Sequence, residues 1–391
     1  MKEGWQTKTL GDVCIFDKAQ GIHRGLPYVG LEHIESHTAR FIGSFEPQPA
    51  QSSTFRFSEE HVLYGRLRPY LNKALAPDFD GHCSTEIFPL KPSAELSREY
   101  LLFWLLADET CDRINATCTG ARMPRAQMNE VLGFEIPVPP LAEQQRIVGL
   151  LDEAFAGIAT ARANAEKNLR NAGALFESHL QSVFSRRGEG WVETTLGAHI
   201  DLLAGFAFKS ANYTTHEKDI RLLRGDNIIQ GCLRWDDVKR WPANNTKEYE
   251  RYRLCEGDVV LAMDRPWVKA GLKHATISRD DLPCLLVQRT ARLRGGANLD
   301  NRFLKLLIGS FAFTAHILGV QTGIGVPHIS GQQIKDFEFA RPPLVEQRLI
   351  ADNLESLREE TQRLARIYER KLAALEVLKK SLLHQAFTGA L

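Results

Sequence analysis

Cations set beside aromatic rings in turn-forming loops are the side chains of this 391-residue chain best suited to chemistry, and that chemistry is recognition. Gly65-Arg66-Leu67-Arg68-Pro69-Tyr70-Leu71-Asn72-Lys73 follows a strand-like run. Asp264-Arg265-Pro266-Trp267-Val268-Lys269 follows another, with Lys273 just beyond. An arginine can fork to guanine in a major groove, a lysine holds phosphate, and a ring packs on sugar or a thymine methyl. A second pair of loops, Thr119-Gly120-Ala121-Arg122-Met123-Pro124-Arg125 and Thr322-Gly323-Ile324-Gly325-Val326-Pro327-His328, carries glycines that permit close backbone approach. The side chains differ between the two copies, as reading two different half-sequences requires. The bland alternative for any one copy is a solvated loop around a structural aromatic.

Bond-making chemistry has no counterpart in the chain. There is no GxxxxGK[ST] phosphate loop, no HExxH and no GxSxG. Gly323-Ile324-Gly325-Val326-Pro327-His328 has His where a dinucleotide loop needs its third glycine, and Pro where the helix would begin. Pro77-Asp78-Phe79-Asp80 with Glu86 resembles a metal nuclease, but Phe88 sits where the lysine should be. Both Pro-Pro pairs follow Val138 or Arg341, not the Asn or Asp by which amino-methyltransferases hold a target amine. Seven cysteines with no CxxC pair point to reduced thiols and neither to a disulfide framework nor to a metal site. The start has no signal-peptide core, so a cytoplasmic protein is expected.

The loops belong to a duplicated frame. Thr9-Leu10-Gly11 returns as Thr195-Leu196-Gly197, Arg68-Pro69-Tyr70 as Arg265-Pro266-Trp267, and Pro139-Pro140-Leu141-Ala142-Glu143-Gln144 as Pro342-Pro343-Leu344-Val345-Glu346-Gln347. A repeat of this length predicts two similar globular units, each followed by the same helical segment. The fold class is α+β: two mixed α/β domains over 1–138 and 190–341, with helical regions over 139–189 and 342–391. Strand-like runs at 86–90 and 258–262 precede one good helix late in each unit, over 97–106 and 300–308, the latter capped by Asp300 or Asn301.

The helical segments carry a seam. From Ile350 the positions Leu354, Leu357, Thr361, Leu364, Tyr368, Lys371, Leu375, Leu378 and Leu382 alternate by four and three, as in a coiled coil. The first copy is weaker, with Arg162 and His179 interrupting, and its alanines suit close approach of a partner helix. Two helices of equal length with similar endings predict an intramolecular antiparallel pair, each about 60 Å long at roughly 1.5 Å per residue over about 40 residues. A proline at each helix start and Glu143 or Glu346 in the first turn suit the N-terminal end.

Net charge is +1 and unevenly spread: 14 basic against 18 acidic residues over 1–141, and 21 against 17 over 190–341. A protein that held DNA unaided would show a stronger basic bias, so partners are expected to supply phosphate contacts.

At these residues the chain resembles the specificity subunit of type I restriction-modification systems over essentially its whole length. The resemblance is carried by residues 65–73, Leu223-Arg224-Gly225-Asp226-Asn227-Ile228, the two Pro-Pro-Leu-x-Glu-Gln segments and Ser381-Leu382-Leu383-His384-Gln385-Ala386-Phe387-Thr388-Gly389. It implies a non-catalytic subunit with two target recognition domains, each reading half of a bipartite asymmetric site on double-stranded DNA. Its helices would set the unread gap and dock two methyltransferase (M) subunits, with restriction (R) subunits completing the enzyme. S-adenosylmethionine and ATP with magnesium would serve the partners, and no cofactor or metal this chain. Candidate DNA contacts are Arg66, Arg68, Lys73, Arg122 and Arg125 in the first domain, and Arg224, Asn227, Arg265, Lys269, Lys273 and His328 in the second. Glu143, Gln144, Glu346 and Gln347 are candidates for helix capping and M contact. The rival reading is a coiled-coil scaffold that binds proteins and never touches DNA.

Overall fold

A computed structural model describes residues 4–391 except Gln51, Ala121, Asn245 and Ile324. The chain divides into two compact units, one ending at Lys167 and completed by Tyr368–Leu391, the other formed by Asn168–Ile367.

In the first unit Gln6–Thr9 pairs antiparallel with Glu135–Val138. A four-stranded sheet follows the order Cys14–Phe16, Ile87–Pro92, Val62–Gly65, Ala74–Leu75. A second four-stranded sheet, of shorter strands, runs Gln20–Gly21, Thr54–Phe57, Gly81–Cys83, Tyr28–Val29, the last two parallel. Helices Arg98–Leu106, Asp108–Ala116 and Met128–Leu132 close a core built on Val62, Tyr64, Phe88, Tyr100 and Leu101.

The second unit repeats this plan. Val192–Thr195 pairs with Glu338–Arg341. The four-stranded sheet runs Ile200–Ala204, Thr290–Gly295, Val259–Ala262, His274–Thr276, and Ile220–Leu223 lies parallel to Cys284–Leu286. Helices Asn301–Ile308, Phe311–Val320 and Gly331–Lys335 pack against Val259, Leu261 and Leu293.

The Thr-Leu-Gly repeat has a packing reason. Leu10 and Leu196 are fully buried, and their amides donate to Phe134 O and Phe337 O, both at 2.8 Å. The glycine that follows lies against the end of the short helix: a Cβ at Gly11 would come 3.2 Å from Leu132 O, and one at Gly197 would come 2.7 Å from Lys335 Cβ.

Where one late helix per unit was expected, three are present. Helix 98–106 is capped by Ser97, which accepts from Tyr100 N at 3.2 Å, and helix 301–308 by Asp300, which accepts from Arg302 N at 2.8 Å. The helices that follow lack a clear apolar stripe: Asp108–Ala116 buries only Thr110, Cys111 and Ile114, and Phe311–Val320 is apolar almost all round. A search by 3.6-residue period has little to find there.

The long helices, Leu141–Ser185 and Leu344–Thr388, are each 45 residues. In the first unit Ile147 and Leu151 share a core with Leu383 and Ala386; in the second Leu180 packs with Ala351 and Leu354. The start of one helix thus meets the end of the other, and the pair is antiparallel. Ala165 and Ala172 are buried, as close approach of a partner requires. The expected seam does not hold to its end. Thr361 is buried, but Leu378 is 46% exposed, and burial passes to Leu383 and Ala386. An α-helix drifts about 20° per heptad against a strict 3.5 repeat, and here the last turns pack on a globular core. No single helix among the described residues is long and apolar enough to cross a membrane.

Candidate nucleic-acid interface

In each unit the two singled-out loops are hydrogen-bonded to one another. Strand Val62–Gly65 runs into Arg66, whose carbonyl accepts from Ala126 N at 2.9 Å; Leu67 bridges to Arg125, and Thr119 bridges to Arg125. Arg68 then turns into the left-handed region, φ 51°, and its amide donates to Pro124 O at 2.8 Å. In the second unit Met263 O accepts from Ile329 N at 2.9 Å, Asp264 and Thr322 both bridge to His328, and Arg265, φ 45°, donates to Pro327 O at 2.6 Å. The sequence offsets of 197 and 203 are the two sides of one repeated contact. Gly120 and Gly323 hold φ 93° and 99°, which an L side chain rarely adopts. Ala121 and Ile324 of these loops lie outside the described residues.

A left-handed arginine is an uncommon backbone state. Here it is held by the proline carbonyl opposite, and it throws the guanidinium outward. Arg68, Arg122, Arg265 and Lys269 are exposed, with no side-chain hydrogen bond or ion pair among the described residues. Beside them Tyr70 is 49% and Trp267 40% exposed, Trp267 on a small hairpin with Gly271–Leu272. Arg68 with Tyr70 and Arg265 with Trp267 thus occupy matched positions, while Arg122 and Lys269 are free cations at non-equivalent positions of the two units.

The other candidates are more constrained. Arg125 forks onto Glu86, with Nε to Oε1 at 2.9 Å, and Arg66 shares that carboxylate at 3.9 Å while its guanidinium lies 5.3 Å from the Phe88 ring. Lys73 donates to Leu31 O at 2.6 Å. His328 Nδ1 lies 2.6 Å from Asp264 Oδ1, and Arg289 approaches the same carboxylate at 3.4 Å. Arg224 pairs with Asp237 at 3.2 Å. Lys273 is half-buried; burial pulls its ammonium below the usual lysine range, and Arg265 and Arg234 add to this while Asp226 opposes it.

Asn227 is corrected. It is buried, its amide accepting from Arg224 N at 3.1 Å and donating to Arg234 O at 3.0 Å, so it braces a turn and presents nothing to a duplex. Gln144 and Gln347 are corrected as partner contacts, because both are fully buried with amides used internally. Gln144 accepts from Ser97 N at 2.7 Å and donates to Glu95 O and Pro139 O, each at 2.8 Å. Gln347 accepts from Asp300 N at 2.9 Å and donates to Asn298 O at 3.0 Å and Pro342 O at 2.8 Å. Each pins the start of a long helix to the start of the unit's late helix. Glu143 is held by Arg146 at 2.7 Å, and Glu346 is half-buried.

Three partners escaped the sequence pattern. Glu86, a nuclease carboxylate by its spacing, neutralises Arg125. Asp264, which opens the Asp264-Arg265-Pro266-Trp267 turn, holds His328 from 64 residues away. Arg289, left-handed at φ 66°, has no local signal. Among the described residues no group of His, Cys, Asp or Glu is placed to hold a metal.

Residues 2–168 match the family model described as type I restriction modification DNA specificity domain. The chain is 40% identical to the EcoAI specificity subunit of Escherichia coli over 170 residues, 43% of this chain and 28% of that protein. To the MjaVIII specificity subunit of Methanocaldococcus jannaschii it is 25% identical over 74% of this chain and 69% of that one. Its fold matches the crystal structure of the HsdS subunit from Thermoanaerobacter tengcongensis with TM-score 0.70 and 22% identity, over 100% of this chain and 98% of that one. A structure described as the basis of complex assembly and conformational transition of the type I R-M system matches with TM-score 0.76 and 21% identity, over 99% and 98%.

Proposed function

We propose, from the premise that this chain is kin to the specificity subunits of type I restriction-modification systems, that it is the DNA-recognition subunit of such an enzyme and reads a bipartite site, one unit to each half. The observation that carries this reading is the repeated loop pair, in which a left-handed arginine is tied to a proline carbonyl and set beside an exposed ring and unpaired cations. Two copies of one frame with different side chains suit two different half-sites. Arg68 and Arg122 in one unit, and Arg265 and Lys269 in the other, touch the duplex. Arg66, Arg125 and His328 act through the carboxylates they hold, by setting loop shape.

Methyl transfer with S-adenosylmethionine and the ATP-dependent steps fall to M and R partner subunits, in keeping with a sequence that carries none of the phosphate-loop, HExxH or GxSxG motifs. Phosphate contacts from those partners would offset its near-neutral charge.

The test is DNA binding by the assembled complex. Arg68→Ala with Arg122→Ala should relax discrimination in one half-site, and Arg265→Ala with Lys269→Ala in the other. Removing a side chain that reads a base edge costs about 1–3 kcal/mol, and removing one that holds a phosphate lowers the salt slope by about 1. Unchanged binding by both double variants would favour the scaffold reading.

A further inference from the structure

The second unit contains a cleft of about 530 Å³ beside its share of the long helices, lined among others by Phe176, Thr276, Lys305 and Arg358. Lys305 and Arg358 are both half-buried, and the side chain of neither has a hydrogen bond or ion pair among the described residues. Arg358 instead lies 4.6 Å from the centre of the Phe176 ring. Glu177 lines the same cleft outside ion-pair distance of either cation, and the nearby Glu355 is engaged by Arg302 at 3.3 Å. The Thr276 hydroxyl is buried without a partner. His274 also lines the cleft, its Nδ1 tied to Leu272 O at 3.3 Å. Burial keeps the His274 imidazole below its usual range, and the charges of Arg358 and Lys305 add to that. Two unpaired cations and an orphaned hydroxyl around one cleft are a costly arrangement unless something anionic enters.

The first unit supplies an internal comparison. At the offset of 203 Phe155 stands in place of Arg358, and Lys379 in place of Phe176, so ring and cation have exchanged helices. Their contact survives, with the Lys379 ammonium 5.4 Å from the Phe155 ring. There the cation is satisfied, because Lys379 donates to His37 O at 2.6 Å. Leu102 stands where the second unit has Lys305. Ala74, which pairs with Tyr64 as His274 pairs with Leu261, stands where the second unit has His274. The first unit thus places apolar Leu102, Ala74 and Phe155 at three of these positions and ties its one cation to a carbonyl, while the second collects unpaired cations around an open cleft.

We propose that this cleft binds a small oxyanion of the phosphate or phosphomonoester class, with Arg358 forking to two oxygens, Lys305 supplying a point charge and Thr276 a hydroxyl donor. The volume falls within the roughly 300–1,000 Å³ of small-molecule sites. This assignment does not depend on the DNA reading.

The probe is inorganic phosphate, titrated calorimetrically into the full chain against chloride at matched ionic strength. Wild type and Arg265→Ala should bind saturably with equal affinity, and Lys305→Met and Arg358→Met at least tenfold more weakly. Without phosphate both Met variants should unfold at the wild-type temperature or above it, since each removes a half-buried, unpaired charge. Absent or non-saturating binding in wild type, equal binding by the Met variants, or loss of binding in Arg265→Ala would overturn the site. So would failure of both Met variants to fold, since the cations would then be holding the unit together.

Discussion

Gln144 and Gln347 show how a residue type can be placed correctly in sequence and its role misjudged. A Glu-Gln pair at a helix start suggests capping and an exposed docking edge. The glutamines are instead buried braces, each satisfying one amide and two carbonyls. The distinction is invisible locally, because two of the three partners lie 47 and 49 residues away in the preceding helix-start segment. Gln144→Ala would leave the buried Pro139 carbonyl unpaired, at a cost of about 1–3 kcal/mol, and would release the part-buried Ser97 amide and the Glu95 carbonyl to find water. Denaturant unfolding should show a loss of at least that size, whereas Glu346→Ala should move stability by less than about 0.5 kcal/mol. His82, fully buried between Thr54 Oγ1 at 3.1 Å and Gln48 O at 2.9 Å, gives a second check. Burial holds it below the ordinary imidazole range, so the unfolded chain binds its proton first. Its contribution is therefore complete above about pH 6.5 and is lost as pH falls through the folded-state value. Unfolding midpoints between pH 7.5 and 5 should fall with acidity, and less steeply in His82→Gln; an unchanged slope would remove His82 as the cause.

At the scale of elements, the strands near residues 86–92 and 258–262, the capped helices after Ser97 and Asp300, and both long helices were legible, because each has an unbroken pattern or a recognisable start. The short helices after them were not, since neither has an apolar stripe on one side only. The heptad pattern is sound where helix packs on helix and fails near Leu378, where the helix end packs on a domain core instead. This separates two substitutions that the repeat alone treats alike. Leu354→Ala, at a fully buried position, should cost about 2–5 kcal/mol, and Leu378→Ala, 46% exposed, less than about 1 kcal/mol. Equal losses in thermal unfolding would mean that the strict seam is retained.

For the molecule as a whole, duplication was the legible fact. The 197 and 203 offsets mark two strands of one contact repeated in both units. The carboxylates that restrain Arg66, Arg125 and His328 were not legible, because Glu86 and Asp264 meet them only across the fold. The candidate surface therefore narrows to Arg68 and Arg122 in one unit and Arg265 and Lys269 in the other. The central claim is that these two sets read two halves of one DNA site. The most direct measurement is single-molecule sequencing of methylated adenines in DNA from cells expressing a neighbouring methyltransferase subunit, with this chain, without it, and with each double variant. A bipartite motif that appears only with this chain, and that degrades in one half for each double variant, is the expected result. No motif despite an assembled complex, or a motif indifferent to both double variants, would contradict the account.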